Sequence, residues 1–414
     1  MSRRGSRSII TIMILAALCA GTFCSCNGAQ NNTASESNVS SLSDKVSEKS
    51  EASKEKEPSF PKIKDPTPES SGEIVNDILI YNGTAYEPFY GGKTEAKKYA
   101  DTVSYVKKSL GDKINVYNVI VPTHIGVDLP DKFADKYSSQ KDYLNNIVDS
   151  YSEKVIGVNA YNSILSHRNE YLYFHSDHHW TVLGAYYAYQ EFAKKAGVEP
   201  VKLKDLDKDK IEGYVGSFTE FTGRNDFTPD YVEYYSPKNF VDCTKYDKTG
   251  NNPSDHLLIH YYAEGRNAYG VFLGGDEPLL VTKNEKGNGK KIAVLKESYG
   301  NAFSPFIAYT YSEAHLIDFR SIEFNLKDYL DKNGITDVII INNAMASATK
   351  DRNDELKAVV DSSRKYEPVE SSSDSEERNT DEPEDAVEDV AENTAIDDTG
   401  EVSEEVVEYN SDEQ

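Results

Sequence analysis

Between about residues 77 and 365 the chain alternates short apolar runs with longer stretches whose apolar residues recur every three to four positions. Runs of the first kind read as buried strands, and the second kind as helices with one packed face. Thr94 is placed to cap a helix in which Tyr99, Val103, Val106 and Leu110 share a face, with Gly111 as its stop. Val116 to Val121, closed by Pro122, is the strand that follows. Ser139 caps a second helix that turns Tyr143, Leu144, Ile147, Val148 and Tyr151 inward, and Lys154 to Val158 is the next strand. Strand, helix, strand at this spacing predicts a parallel sheet. Tyr171 to Phe174 then predicts a short buried strand. The run from Thr181 predicts a helix, with Leu183, Tyr186, Tyr187 and Gln190 at helical spacing and a stop at Gly197 and Pro200.

The pattern changes from Val201 to about Lys290, which is rich in Tyr, Phe, Gly, Asp and Asn. Leu257 to Tyr262, Gly270 to Leu273 and Leu279 to Thr282 read as short strands, and no long amphipathic helix stands out. The expectation is a β-rich insertion within one α/β domain. The α/β rhythm then returns with a strand at Ile292 to Leu295, a turn holding Ser298, a helix through Phe303 to Tyr311 and a strand at Leu316 to Asp318. A helix from about Leu326 to Lys332 capped by Asn325, a strand at Val338 to Ile341 and a helix around Leu356, Val359 and Val360 complete it. Ligands of such sheets sit beyond the carboxyl ends of the strands, where Ser298, Arg320, Asn342 and Asn343 all fall.

Composition restricts the rest of the chain. About 19 of the 25 net negative charges lie in Tyr366 to Gln414, where Arg378 alone opposes the Asp and Glu side chains. This segment reads as a disordered acidic tail, which leaves the folded part only mildly acidic. No basic stripe with interleaved aromatics occurs, so nucleic acid is not an expected partner. Arg3, Arg4 and Arg7 precede an apolar run from Ile9 to Ala20, too short to span a bilayer and typical of an export signal. Cys19, Cys24 and Cys26 cluster at its end. Cys26, between Ser25 and Asn27-Gly28, is the expected acylated residue of a lipoprotein cleavage site, the alternative being a plain secretory signal. Residues 1–26 are thus read as the signal, Asn27 to about Gly72 as a Ser-, Glu- and Lys-rich tether, and residues 73–365 as the folded domain. Once the signal is removed, Cys243 and at most one anchor cysteine remain, too few for a disulfide framework.

The candidate chemistry lies in Asp177-His178-His179-Trp180. A carboxylate two residues before an imidazole, on extended backbone, points to the same side and can orient a histidine base. The missing nucleophile is offered by Ser298, since a serine hydroxyl needs a base in reach and a third group to fix that base's tautomer. In this reading Ser298 attacks, His179 takes its proton and Asp177 holds the imidazole. The backbone N–H groups of Tyr299 and Gly300, at a helix start, are candidate oxyanion donors, with Asn301, Asn342 or Asn343 as side-chain donors. Arg320 fits a substrate carboxylate or a structural ion pair, and Trp180 and Tyr299 are candidates for the cleft wall. Taken singly, Ser298 is also a helix cap and Asp177 an Asx cap beside a structural histidine. A zinc reading, with His175 and His179 four apart joined by Asp177 or His178, lacks an HExxH pattern and conflicts with the preceding strand. Gly287 to Lys290 lacks the spacing of a phosphate loop and reads as a turn. Neither metal nor cofactor is called for.

These segments resemble the DHHW protein family and are similar to the alginate O-acetylation proteins, whose fold is of the SGNH-hydrolase type. The likeness runs through LIYNGTAYEPFYGG (Leu79 to Gly92), VPT (Val121 to Thr123), the DHHW stretch with its GAYYAY sequel, RNAYGVFLGGDEPL (Arg266 to Leu279) and ESYGNAFSPF (Glu297 to Phe306). It implies an SGNH-like α/β fold in which Asp177, His179 and Ser298 take the triad parts. It also implies an exported O-acyl esterase or O-acetyltransferase acting on a cell-envelope polysaccharide, with a membrane-bound O-acyltransferase as acyl donor to a transferase. The other function class is a non-catalytic glycan-binding protein on the same fold. One departure is Glu297, where the family more often has Asp. A multiply acylated Cys26 would hold the protein at the outer face of the cytoplasmic membrane or the cell surface, each buried methylene adding about 0.8 kcal/mol. Cys26→Ala is therefore expected to release the protein from the membrane fraction, and unchanged fractionation would refute the anchor.

Overall fold

The computed structural model describes residues 59–368. The export signal and Cys26 lie outside these residues, as do most of the tether and of the acidic tail. A three-stranded antiparallel meander opens the domain: β1 (Glu73–Val75), β2 (Ile78–Tyr81) and β3 (Thr84–Tyr86). Its two tight turns use Asn76-Asp77 and Asn82-Gly83, all at positive φ, the conformation that two-residue hairpins require. There follow α1 (Lys93–Leu110), β4 (Asn115–Val121), α2 (Gln140–Val148), β5 (Val155–Asn159), α3 (Tyr161–Ser166) and α4 (Val182–Ala196). The 201–290 region supplies β6 (Asp207–Tyr214), α5 (Phe218–Thr222), β7 (Asp230–Ser236), β8 (Asp242–Tyr246), β9 (Ser254–Asp255) and β10 (Leu279–Lys283). The chain ends with β11 (Lys291–Lys296), α6 (Gly300–Thr310), β12 (Glu313–Asp318), α7 (Leu326–Asn333), β13 (Asp337–Asn343), α8 (Ala344–Ala348) and α9 (Lys350–Ala358).

An eight-stranded sheet in the order β5-β4-β13-β11-β12-β10-β8-β9 organises these elements. From β5 to β12 every pairing is parallel, and β10, β8 and β9 add an antiparallel edge. Alternation along β11 explains the two cores. Ile292 and Val294 join a cluster with Phe192, Phe303 and Phe306 of α4 and α6. Ala293 and Leu295 join another with Tyr99, Leu144 and Leu330 of α1, α2 and α7. A strand covered on both faces must be apolar on both, hence the unbroken run in the sequence.

Several expectations need correction. The sheet is mixed because part of the insertion extends it, while β6 and β7 form a separate hairpin. Tyr171 to Phe174 makes only a single bridge, Tyr173 to Trp180, because the chain turns back on itself there. Leu257 to Tyr262 and Gly270 to Leu273 likewise share one bridge, Ile259 to Phe272, around a 3-10 turn at Gly265–Val271. Leu273, Gly274 and Gly275 carry positive φ, which ends extended pairing. The cap of α1 is Gly92, whose N–H donates to Glu95 Oε2 at 3.1 Å, and Thr94 lies inside the helix. Ser139 and Asn325 do cap α2 and α7 through their side chains.

The domain also takes in residues assigned to tether and tail. Lys132 donates to the carbonyls of Thr67 and Pro68 at 2.9 and 3.0 Å and pairs with Asp65 at 3.1 Å. Tyr366 is buried, its ring 4.8 Å from Tyr329 and 5.5 Å from Phe324, and its carbonyl accepts from Lys332. Tyr366→Ala should therefore lower stability by about 3 kcal/mol in chemical denaturation, the size expected for truncating a buried aromatic. A change within error would place Tyr366 in the tail.

Candidate active site

Parallel pairing of β11 with β12 and β13 brings the carboxyl ends of three strands to one edge. Ser298 lies two residues past the end of β11 and two before α6, half-buried where the strand hands over to the helix. The Asp177–Trp180 segment arrives from the other side, in the loop that leads into α4. His179 Nε2 is 2.8 Å from Ser298 Oγ, and His179 Nδ1 is 2.7 Å from Asp177 Oδ1. The same Oδ1 accepts the backbone N–H of His179 at 2.9 Å. The pair is thus brought together by a local Asx turn, not by alternation along an extended strand. Asp177 Oδ2 accepts the N–H of Ser217 at 2.8 Å. Burial alone would raise the Asp177 pKa, but the charges of His178 and His179 and the bonds from His179 and Ser217 outweigh it. The carboxyl is held well below its ordinary 3.8.

Trp180 and Tyr299 lock the two segments together. Trp180 Nε1 donates to the carbonyl of Tyr299 at 2.9 Å, and the Tyr299 hydroxyl donates to the carbonyl of His178. Trp180 is fully buried and Tyr299 1% exposed, so both build the site from behind and neither forms its wall.

The proposed oxyanion donors are engaged elsewhere. Glu297, 4% exposed, takes the N–H of Tyr299 on Oε2 at 3.0 Å and Asn343 Nδ2 on Oε1 at 3.1 Å. Its Oε2 also lies 3.3 Å from Ser298 Oγ. The N–H of Gly300 closes a turn onto the Glu297 carbonyl at 2.9 Å, and that of Asn301 onto the Ser298 carbonyl at 3.1 Å. Asn301 Nδ2 donates to Asp276 Oδ1 at 3.0 Å. Asn342 points to the opposite face of the sheet from Asn343 and donates to the Tyr99 hydroxyl of α1 at 2.9 Å. Burial raises the Glu297 pKa, while the N–H groups of Tyr299 and Asn343 and the charges of Arg320 and His178 oppose that rise. Arg320 is held by Asp318 Oδ1 at 2.8 Å and Asp276 Oδ2 at 2.7 Å, which is the ion-pair alternative.

Three contributors come from the insertion. The N–H of Ser217 donates to Asp177, as described. Asp230 takes His175 Nδ1 at 2.8 Å and the backbone N–H groups of His175 and Ser176 at 2.9 and 2.8 Å. Tyr269 stacks on the His179 ring at 4.1 Å and donates to the Ser298 carbonyl at 3.1 Å. Only the bare types Ser and Asp mark Ser217 and Asp230 in the sequence, whereas Tyr269 lies within the Arg266 to Leu279 stretch, where the pattern assigns it no role. Since His175 turns to Asp230, it does not join His179 in a metal set. Ligating atoms of Asp177, His178 and His179 do lie within 4.8 Å of one another. Both nitrogens of His179, however, are taken by Asp177 and Ser298.

Known proteins share the sequence pattern and the fold. The family model described as "DHHW protein" matches residues 29–317. A DHHW family protein from Eubacterium siraeum superposes with a TM-score of 0.64 at 29% identity, over 70% of this chain and 98% of its own. Bacillus cereus PatB1 superposes with a TM-score of 0.55 at 20% identity, over 67% of this chain and 98% of its own. PatB1 with a sulfonyl adduct gives 0.56 at 19% identity, over 67% and 97%. No curated protein matches the sequence. The α/β fold, a large mixed sheet flanked by helices, is shared with these structures. Among the described residues no helix is long and apolar enough to cross a membrane.

Because the Asp177 pKa is lower folded than unfolded, its contribution to stability is complete above its ordinary pKa and is lost as pH falls toward the folded value. The destabilisation caused by Asp177→Asn is accordingly expected to be largest above about pH 4 and to shrink in stronger acid. Thermal melts of both proteins across that range test this, and a difference independent of pH would contradict it.

Proposed function

The chain belongs to the DHHW protein family, and from that premise we propose that it is an O-acyl esterase or O-acetyltransferase of the cell envelope acting on a polysaccharide through an acyl-Ser298 intermediate. The observation that carries this reading is the continuous chain from Ser298 Oγ to His179 Nε2 at 2.8 Å and from His179 Nδ1 to Asp177 Oδ1 at 2.7 Å. In the first half-reaction Ser298 Oγ attacks the acyl carbon and His179 takes its proton. Asp177 keeps Nδ1 protonated, so that Nε2 presents a lone pair, and stabilises the imidazolium. Collapse of the tetrahedral intermediate expels the donor's oxygen, protonated by His179, and leaves the acyl group on Ser298. In the second half, water or a sugar hydroxyl attacks, giving hydrolysis or transfer.

Negative charge on the acyl oxygen requires donors close to Ser298. Of the candidate donors, the Tyr299 N–H and Asn343 Nδ2 are both held by Glu297, whose Oε2 lies 3.3 Å from Ser298 Oγ. Turnover therefore includes a shift of the Glu297 carboxyl off these two groups. The same observation favours the second reading, a glycan-binding protein in which Glu297 keeps the donors filled and no acyl transfer occurs. As a transferase the protein would receive its acyl group from a membrane-bound O-acyltransferase partner, consistent with a lipid anchor at Cys26 and a membrane location.

A sulfonyl fluoride or fluorophosphonate probe separates the two readings. Labelling of Ser298 that is lost in Ser298→Ala and in His179→Ala is expected, together with a fall in acetyl-ester turnover of about 10⁴-fold or more in each variant. Glycan binding that survives Ser298→Ala in a protein the probe never labels would leave the binder standing.

A further inference from the structure

The second histidine of Asp177-His178-His179-Trp180 is not used by the triad, yet its ring is fixed as closely as a ligand-binding group requires. Its Nδ1 lies 2.9 Å from Ser217 Oγ and 3.8 Å from Asp177 Oδ2, an arrangement that favours an Nδ1–H. One face of the ring lies against His179, with centroids 3.9 Å apart, and Phe218 approaches edge-on at 6.3 Å. The Tyr299 hydroxyl holds its backbone carbonyl. Its side chain is nevertheless 35% exposed, against 9% for His179. Among the described residues Nε2 has no hydrogen-bond partner.

The strand β3 ties the meander to this loop, the Ala85 N–H donating to the His175 carbonyl at 2.8 Å. Phe221, 47% exposed, packs on Phe218 at 6.4 Å and offers an apolar surface near the His178 ring.

We propose that His178 is the acceptor subsite of this centre, binding the hydroxyl adjacent to the one that attacks acyl-Ser298, so that the preferred acceptor is a vicinal diol of a sugar ring. The assignment rests on the acyl-serine reading and deepens it. The His178 and His179 rings lie with centroids 3.9 Å apart, tilted by 37°, close enough for neighbouring hydroxyls of one pyranose to reach both. The attacking hydroxyl gives its proton to His179 as its oxygen bonds to the acyl carbon. The acyl–Oγ bond breaks, and His179 returns the proton to Ser298 Oγ, leaving a sugar ester and a free serine. His178 forms and breaks no covalent bond. Its Nε2 lone pair accepts a hydrogen bond from the second hydroxyl. Phe221 receives an apolar face of the ring.

The test uses the full chain with p-nitrophenyl acetate as donor and compares methyl α-D-glucopyranoside with cyclohexanol as acceptor. The readout is the ratio of acetylated acceptor to free acetate. Wild type is expected to favour the diol by about tenfold, the value of one or two well-placed hydrogen bonds. His178→Phe keeps a ring of similar shape and should abolish that preference, and Ser217→Ala, which frees the ring to turn, should weaken it. A merely structural histidine would scale transfer and hydrolysis together and leave the ratio untouched. Equal use of both acceptors by wild type, or a ratio unchanged in His178→Phe and Ser217→Ala, overturns the subsite. Failure of wild-type Ser298 to become acetylated, read by mass spectrometry, overturns the acyl-serine reading itself, so the two failures are distinct.

Discussion

The site depends on a pair of hydrogen bonds, one buried and one partly buried, that cross between segments 119 and 121 residues apart: Trp180 Nε1 to the Tyr299 carbonyl and the Tyr299 hydroxyl to the His178 carbonyl. Each segment supplies a donor and an acceptor, so neither can shift without leaving a buried polar group unpaired, at a cost of about 1–3 kcal/mol. The bond between His179 and Ser298 lies between these two links. Its short distance follows from the clasp, because a lone hydroxyl–imidazole contact at a partly open site would not by itself hold two loops in register. The stacking of Tyr269 on the outer face of His179 removes the remaining freedom of the ring.

The insertion supports the segment that carries Asp177 and His179. Asp230, at the start of β7, takes three N–H groups from His175 and Ser176, and the N–H of Ser217, just before α5, donates to Asp177 Oδ2. Gly216 immediately precedes Ser217, and a Cβ there would fall 2.4 Å from that of Asp177. The backbone passes so close that only glycine fits. The region read as a β-rich addition is thus the wall against which Asp177 is pressed. Its strand β10 meanwhile continues the central sheet beyond β12.

The parallel core was readable in the sequence because burial on both faces leaves unbroken apolar strands such as Ile292 to Leu295, and because caps like Ser139 and Asn325 announce helices locally. Asp177, His179 and Ser298 were legible as residue types, and the structure adds that they touch. Short irregular segments were less legible. Tyr171 to Phe174 is as apolar as a strand, but its residues fill the core from a turn, and no periodicity separates the two cases over four positions. The partners of the candidate oxyanion donors were hidden for a related reason. Free N–H groups at a helix start are an inference from local geometry, whereas the partner that takes them here, Glu297, reaches across to Asn343 of β13 at the far side of the turn.

That reach depends on side-chain length. One Glu297 oxygen meets Asn343 while the other meets the Tyr299 N–H and approaches Ser298 Oγ, so the carboxyl spans from the end of β13 to the entrance of α6. A side chain shorter by one methylene starts from the same backbone and would not span the same gap without moving the turn. Unfilled N–H groups in a buried turn would otherwise find other partners, and Glu297 meets the Tyr299 N–H with one oxygen and Asn343 Nδ2 with the other. Burial raises its pKa, while the backbone N–H groups of Tyr299 and Asn343 and the charges of Arg320 and His178 oppose that rise, so the contacts that fix the turn also favour the charged carboxyl.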